Sequence, residues 1–301
     1  MSRYDLLAID LDGTLLSPLG EVSEANRHAI ARAKSAGVRV SICTGRGYNE
    51  CKGIARAIGQ TDPVVVAGGA ILSEAATGET LHRFPMDRGL VARLVETLTG
   101  HGHAALILKD PCGTREHGLR PGHDYVVVSP RGEEGIDPVT RWWFAHHGIG
   151  VKVVPDLSQD EHPEHTVRVG VCGTRRETGA AARDMQDGFA GEVTFHHFQA
   201  VIPGSQHDSA DDQIVILEAF DRRVSKWTAI EWLALREGID PSRIAAIGND
   251  VNDVAMLRGA GLSIAMGNAI AEAKAAAIRE TLDNESDGVA HAIERILAGD
   301  W

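Results

Sequence analysis

The feature that most constrains this chain is a regular alternation of short apolar runs with helix-like stretches over its first 70 residues. Tyr4 to Ile9 is apolar apart from Asp5 and predicts a buried strand, and Gly13 offers the break where that strand can end. Ser23 reads as the N-cap of a helix running to about Ala36, and Gly37 ends it. Val38 to Cys43 is a second strand with Thr44-Gly45-Arg46 as its exit. A helix follows to Ile58, with Gly59 at its end, and then the strand Val64 to Ala67. Repeated units of this length predict an α/β fold, a doubly wound parallel sheet with helices on both faces. Ligands in such sheets sit beyond the carboxyl ends of the strands, where Asp10-Leu11-Asp12 and Thr44-Gly45-Arg46 fall.

The pattern then changes. Ala70–Ser73 and Glu79–His82 flank Ala76-Thr77-Gly78 as a hairpin would. From about 86 to 217 the chain is richer in His, Gly and Pro. Strands are expected there near 104–108, 124–128, 150–154, 166–172, 192–198 and 213–218, with helices near 88–99, 138–146 and 176–188. This predicts a large α+β insertion, 86–217, in a core made of 1–85 and 218–301. The regular pattern resumes with a helix from Ser225 to Glu237, the strand Ile244 to Ile247, and the loop Gly248-Asn249-Asp250-Val251-Asn252-Asp253.

Charge narrows the partners. The 30 Lys and Arg face 42 Asp and Glu, a formal net charge of -12 with no basic run, which argues against nucleic acid and anionic membranes. No stretch approaches the length of a membrane span, and no basic segment leads into a hydrophobic one at the N-terminus. Cys43, Cys51, Cys112 and Cys172 form no C-x-x-C pair, so reduced thiols and a cytoplasmic location are expected. A monomer and a homodimer are both open.

Asp10 and Asp12 are two apart on a strand and can converge on one site. Two carboxylates about 4 Å apart repel by roughly 4 kcal/mol at an effective dielectric near 20, so a fold would not pair them for stability. They are expected to hold a cation or do chemistry. A calcium loop is ruled out, because its sixth position needs Gly and Leu15 stands there. A phospho-receiver domain needs an Asp ending the third strand, where this chain has Ala67-Gly68-Gly69. The 14 histidines form no H-E-x-x-H pattern and read as solvated side chains, while Trp142-Trp143-Phe144 reads as a helix core. Asp10, Asp12, Thr44, Lys226 and the loop Asn249–Asp253 supply carboxylates, a hydroxyl, a cation and an oxygen-rich cradle. That set is what phosphoryl transfer requires.

The order of these residues resembles the haloacid dehalogenase superfamily of phosphatases, in its Cof-like branch (type IIB) with a large α/β cap. The resemblance runs from the first strand to the last helix. It rests on Asp10 to Leu16, Thr44-Gly45-Arg46, Val224-Ser225-Lys226, Gly248 to Leu257, Ala265-Met266-Gly267-Asn268-Ala269, and Asp287-Gly288-Val289-Ala290. It implies that Asp10 is a nucleophile forming an aspartyl-phosphate, and that Asp12 protonates the leaving oxygen and then activates water. Thr44 would bond the phosphoryl group, and Lys226 would hold Asp10 and the phosphate oxygens. Gly45, Arg46, Gly69 and Asn252 would border the phosphate. Mg²⁺ would take oxygens from Asp10, the Asp12 backbone and the loop residues Asn249, Asp250 and Asp253.

Three positions depart from the family pattern. Asn249 stands where a metal-binding Asp is expected, and Asp250 could compensate. Ala67-Gly68-Gly69-Ala70 replaces Ser-Asn-Gly-Ala. Trp227 replaces the Gly after the lysine and could line the pocket or pack beside Ile230. For Arg46, pairing with a surface carboxylate and supporting the phosphate site are both open.

The implied function is a Mg²⁺-dependent phosphatase acting on a small phosphorylated metabolite, a sugar phosphate foremost, with the insertion closing as a cap. A phosphomutase or phosphotransferase using the same aspartate, or a binding protein that has lost catalysis, are the alternatives.

Overall fold

The computed structural model describes residues 3–111, 122–199 and 210–301. Cys112 and His117 lie outside them. The chain divides into two compact units, Met1–His82 with Ser225–Trp301, and Arg83–Val224.

In the first unit the opening strands and helices are β1 (Leu6–Asp10), α1 (Glu24–Ser35), β2 (Arg39–Cys43), α2 (Tyr48–Ala57), β3 (Val64–Val66), β4 (Ile71–Ser73) and β5 (Thr80–Arg83). Ser23 caps α1 by accepting the Asn26 N–H at 3.1 Å.

In the second unit the elements are α3 (Arg88–Gly100), β6 (Ala105–Lys109), β7 (Tyr125–Val128), α4 (Pro138–His147), β8 (Val151–Val154), β9 (Thr166–Thr174), α5 (Arg175–Gly188), β10 (Val193–Gln199) and β11 (Ile214–Asp221). Among the described residues its sheet runs β10-β11-β9-β6-β7-β8, antiparallel except where β7 meets β8. Leu94, Leu98 and Met185 from α3 and α5 pack on the alternate sheet residues Ile107, Val169, Val171 and Leu217. On α4 only Phe144 of the predicted aromatic core is buried, its ring 4.9 Å from Tyr125, while Trp142 is exposed and stacks on His146. Buried charges in this unit are paired: Lys109 with Asp160, and Arg168 with Glu218 at 2.7 Å.

The chain re-enters the first unit through α6 (Lys226–Glu237), β12 (Ile244–Gly248), α7 (Val254–Gly259), β13 (Leu262–Ala265), α8 (Ala271–Ala276), β14 (Arg279–Glu280) and α9 (Gly288–Ala298). Among the described residues its sheet runs β14-β13-β12-β1-β2-β3-β4-β5. β1 pairs in parallel with both β2 and β12, and β4 turns antiparallel against β3. Leu6 and Ala8 face α6, α7 and α8 through Ala229, Ile230, Met256 and Ala273, and alternation turns Leu7 and Ile9 to the other face.

This topology positions the site. From β1 the sheet grows one way through β2 and β3, and the other way through β12 to β14. β1 is therefore the switch point, where the first loops part and leave a crevice beyond the carboxyl end. Asp10 is its last residue. Among the described residues no helix is long and apolar enough to cross a membrane.

Candidate active site

Beyond Asp10 the chain makes one wide turn, closed by the Leu16 N–H on the Leu11 carbonyl at 2.9 Å, with Gly13 at φ +75°. The turn directs the Asp12 carbonyl and Thr14 toward the loop after β12. Asn268 fixes its apex by donating to the Gly13 carbonyl at 2.8 Å, a role that no spacing signals beyond its place after Met266-Gly267.

Lys226 is the first residue of α6, whose N-cap Ser225 accepts the Thr228 N–H at 3.1 Å. Its ammonium is fully buried and donates to Asp10 Oδ1 at 2.5 Å, Asp253 Oδ1 at 2.7 Å and Asn252 Oδ1 at 3.2 Å. Gly69 permits this placement. At φ +104°, a Cβ on it would stand 2.0 Å from the Ser225 carbonyl oxygen, so only glycine lets the β3 exit pass under the start of α6. Ala67, two residues earlier, holds the uncommon φ of +51° and donates its N–H to the Arg46 carbonyl at 2.7 Å.

Asp253 is buried and uses both oxygens. Oδ1 takes Lys226, and Oδ2 accepts the Asn249 and Asp250 N–H groups at 2.9 and 3.1 Å. It therefore holds the lysine and the loop backbone. Asp250 turns its carboxylate to the Val251 N–H at 2.6 Å. The side chain that the loop brings to Asp10 is Asn249. The inner atom of its carboxamide lies 3.0 Å from Asp10 Oδ2, 3.1 Å from the Asp12 carbonyl oxygen and 2.9 Å from Thr14 Oγ1. Gly45 borders Asn252, whose amide would lie 4.0 Å from a Cβ there. Thr44 is buried at the end of β2, and its hydroxyl accepts the Arg46 N–H at 3.1 Å.

Arg46 forms a forked pair with Asp12, Nε to Oδ2 at 3.0 Å and Nη2 to Oδ1 at 2.6 Å. This carboxylate is the second aspartate of the site, a partner that neither reading from sequence named. Trp227 packs with the α6–α7 cluster, its ring 2.2 Å from where a Cβ on Gly259 would be.

Two buried carboxylates share one buried ammonium, so the centre is short of positive charge. Burial pushes the Asp10 carboxyl up to about 7, the Asp253 charge adds to this, and Lys226 opposes it. Lys226 is raised, because its two carboxylates outweigh desolvation. Either a proton or a cation can supply what is missing.

Among the described residues no group of three or more His, Cys, Asp or Glu side chains gathers to hold a metal. The donors here are instead one carboxylate, one backbone carbonyl and one carboxamide. Their oxygens, with Asn249 Oδ1 turned inward, would lie at those 3.0 and 3.1 Å spacings. Neighbouring oxygens on a Mg²⁺ octahedron are about 3.0 Å apart, so this all-oxygen set fits a small hard cation.

Comparison with known proteins shows the family over nearly the whole chain. The sequence model of the haloacid dehalogenase-like hydrolases matches residues 7–293. A Bacillus subtilis protein named as a 5-amino-6-(5-phospho-D-ribitylamino)uracil phosphatase, YwtE, is 28% identical over 98% of this chain and 99% of its own length. The Escherichia coli pyridoxal phosphate phosphatase YbhA is 27% identical over 96% of this chain and 97% of its own. A solved haloacid dehalogenase-like hydrolase from Bacteroides thetaiotaomicron superposes with a TM-score of 0.75 at 22% identity, covering 97% of this chain and 99% of that one.

Proposed function

Because this chain belongs to the haloacid dehalogenase-like hydrolases, we propose that it removes the phosphoryl group from a small phosphorylated metabolite through an aspartyl-phosphate on Asp10. The observation that carries this reading is the buried triad at the switch point, in which Lys226 bridges Asp10 and Asp253. A carboxylate kept in place by an ammonium at the carboxyl end of the switch-point strand is set up to attack phosphorus.

In this mechanism an Asp10 oxygen forms the new P–O bond while the ester P–O bond breaks. The leaving oxygen takes a proton from Asp12. Water then attacks the aspartyl-phosphate, gives its proton to Asp12, and inorganic phosphate leaves with Asp10 regenerated. Lys226 and Thr44 donate to the phosphoryl oxygens, as Gly45 N–H would from the β2 exit. A Mg²⁺ ion held by Asp10, the Asp12 carbonyl and Asn249 would supply the charge that offsets those oxygens.

The substrate class follows from what the relatives' names share. One is named for a heterocycle phosphate and one for a phosphorylated ribityl chain on a heterocycle. The common part is a phosphate ester of a small polar metabolite, and sugar phosphates are the first members to try. The reduced state of Cys43, Cys51 and Cys172 suits a cytoplasmic enzyme.

The test is phosphate release from a panel of sugar, nucleotide and cofactor phosphates. We expect release with Mg²⁺, loss with EDTA, and no isomeric sugar phosphate product. Silence across the panel would refute the reading. The raised Asp10 carboxyl adds a pH signature. A cation needs the carboxylate, so its binding should release up to one proton below about pH 7. Apparent metal affinity should then rise as pH climbs through 7 and level above it. Calorimetry in buffers of different ionisation enthalpy reads that proton, and no release at pH 6 would contradict it.

Arg46 is a positioning residue in this scheme, since it aims the Asp12 carboxylate. Arg46→Ala should lower kcat by about 10–100-fold on an alkyl phosphate with little change in KM, and Arg46→Lys should restore only part, because the fork is lost. The loss should be smaller on p-nitrophenyl phosphate, whose leaving group needs no proton. Equal losses on both substrates would remove Arg46 from that role.

A further inference from the structure

We infer that Asn249 is a two-position amide switch, donating to Asp10 and the Asp12 carbonyl in the metal-free protein and turning over to offer its oxygen when a divalent cation binds. This deepens the proposed function and rests on its assignment of the metal site.

The inner end of the Asn249 carboxamide faces three oxygens, Asp10 Oδ2 at 3.0 Å, Asp12 O at 3.1 Å and Thr14 Oγ1 at 2.9 Å. With Asp10 ionised, the first two only accept hydrogen bonds, whereas a hydroxyl can donate or accept. With nitrogen inward, the two amide protons serve these acceptors and bring partial positive charge to the carboxylate. With oxygen inward, only Thr14 can donate, at 2.9 Å, and two oxygens face the amide oxygen without a proton between them. Hydrogen-bond complementarity therefore selects nitrogen inward without a cation, and a cation selects oxygen inward. Thr14 suits both states because its hydroxyl can turn.

The rest of the residue cannot follow. The Asn249 N–H is held by Asp253 Oδ2 at 2.9 Å, and its carbonyl accepts the Ile270 N–H at 2.9 Å. With the main chain held, exchange of the inner atom falls to the side chain, by rotation of the amide plane. Its outer atom passes over Gly13, where a Cβ would stand 2.5 Å away. A glycine at that turn leaves the amide room to rotate.

An Asp at 249 would have no nitrogen-inward state. Without metal it would set a second carboxylate oxygen about 3 Å from Asp10, where like charges repel. With metal it would add a full negative charge. The asparagine thus gives a metal-free site that is internally satisfied, in exchange for weaker cation binding.

The experiment uses the full chain and compares it with Asn249→Asp. In EDTA at pH 8 the variant should unfold several degrees below the unchanged protein, and Mg²⁺ should raise its Tm by more. Titration with Mn²⁺, followed by the resonance of the free ion, should show binding about tenfold or more tighter in the variant. A variant at least as stable as the unchanged protein in EDTA, or binding Mn²⁺ no tighter, would overturn the switch.

If the variant does not fold, the unchanged protein labelled with ¹⁵N-asparagine decides. One side-chain amide pair should be protected from exchange in EDTA and lose that protection with Mg²⁺, and a pair indifferent to Mg²⁺ would refute the proposal. None of these readouts uses turnover. Failure to release phosphate would sink the phosphatase reading and leave the switch to be judged by its own data.

Discussion

Asp10→Asn should cut phosphate release by about 10⁴–10⁶-fold, the scale seen when a covalent nucleophile is removed, while leaving the protein folded. The amide is isosteric, and Lys226 keeps Asp253 as a partner at 2.7 Å. The stability change should even favour the variant. Asp10 has its folded-state carboxyl raised to about 7 by burial and the Asp253 charge, above the usual 3.8. An acid shifted this way stabilises the fold below its unfolded pKa. That contribution is lost as pH rises toward the folded value, so the unchanged metal-free protein should weaken between about pH 4 and 7. Asn cannot ionise and escapes this loss. In EDTA the Tm difference, variant minus unchanged, should therefore grow from pH 5 to pH 7 and then level off. Turnover within tenfold of the unchanged protein would end the nucleophile assignment, and a variant that loses its fold would contradict the structural part.

Much of the frame could be read from sequence because it is local. Apolar runs and caps place β1, α1 and β2 to within a residue or two, as in α1, read from Ser23 to about Ala36 and found at Glu24–Ser35. The strands of the second unit follow for the same reason, for example Ala105–Lys109 where 104–108 was expected. The illegible part is set by contacts between residues far apart in the chain. Nothing in the spacing tells that Arg46 turns back onto Asp12, that Asn249 meets Thr14 across 235 positions, or that Asp253 spends both oxygens on Lys226 and its own loop. Trp142-Trp143-Phe144 shows the limit in miniature. Three large apolar residues in a row cannot all face one side of a helix, and only Phe144 turns inward. The strained φ of Ala67 is likewise invisible in sequence, because alanine carries no preference for it.

Lys226→Met should be the most destabilising single change at this site, and the reason is the charge it leaves behind. Methionine roughly matches the lysine stem, so packing survives, but Asp10 and Asp253 stay buried with no cation between them. Breaking a buried ion pair by removing one partner costs about 3–5 kcal/mol, which in a unit of this size lowers Tm by roughly 6–20 °C. A pH test separates this from a packing defect. Unpaired carboxylates can take up protons, so the deficit against the unchanged protein should shrink as pH falls from 8 to 5, whereas a cavity would cost the same at both. Asp253→Asn added to Lys226→Met removes one of the stranded charges and should recover part of the loss, giving a coupling energy well outside the range of independent sites. Activity should fall by about 10³-fold even at temperatures where the variant is folded, because the ammonium would no longer reach the phosphoryl oxygens. A pH-independent deficit below about 1 kcal/mol would mean that the lysine is not held between two ionised carboxylates, and the charge argument for a cation at Asp10 would lose its foundation.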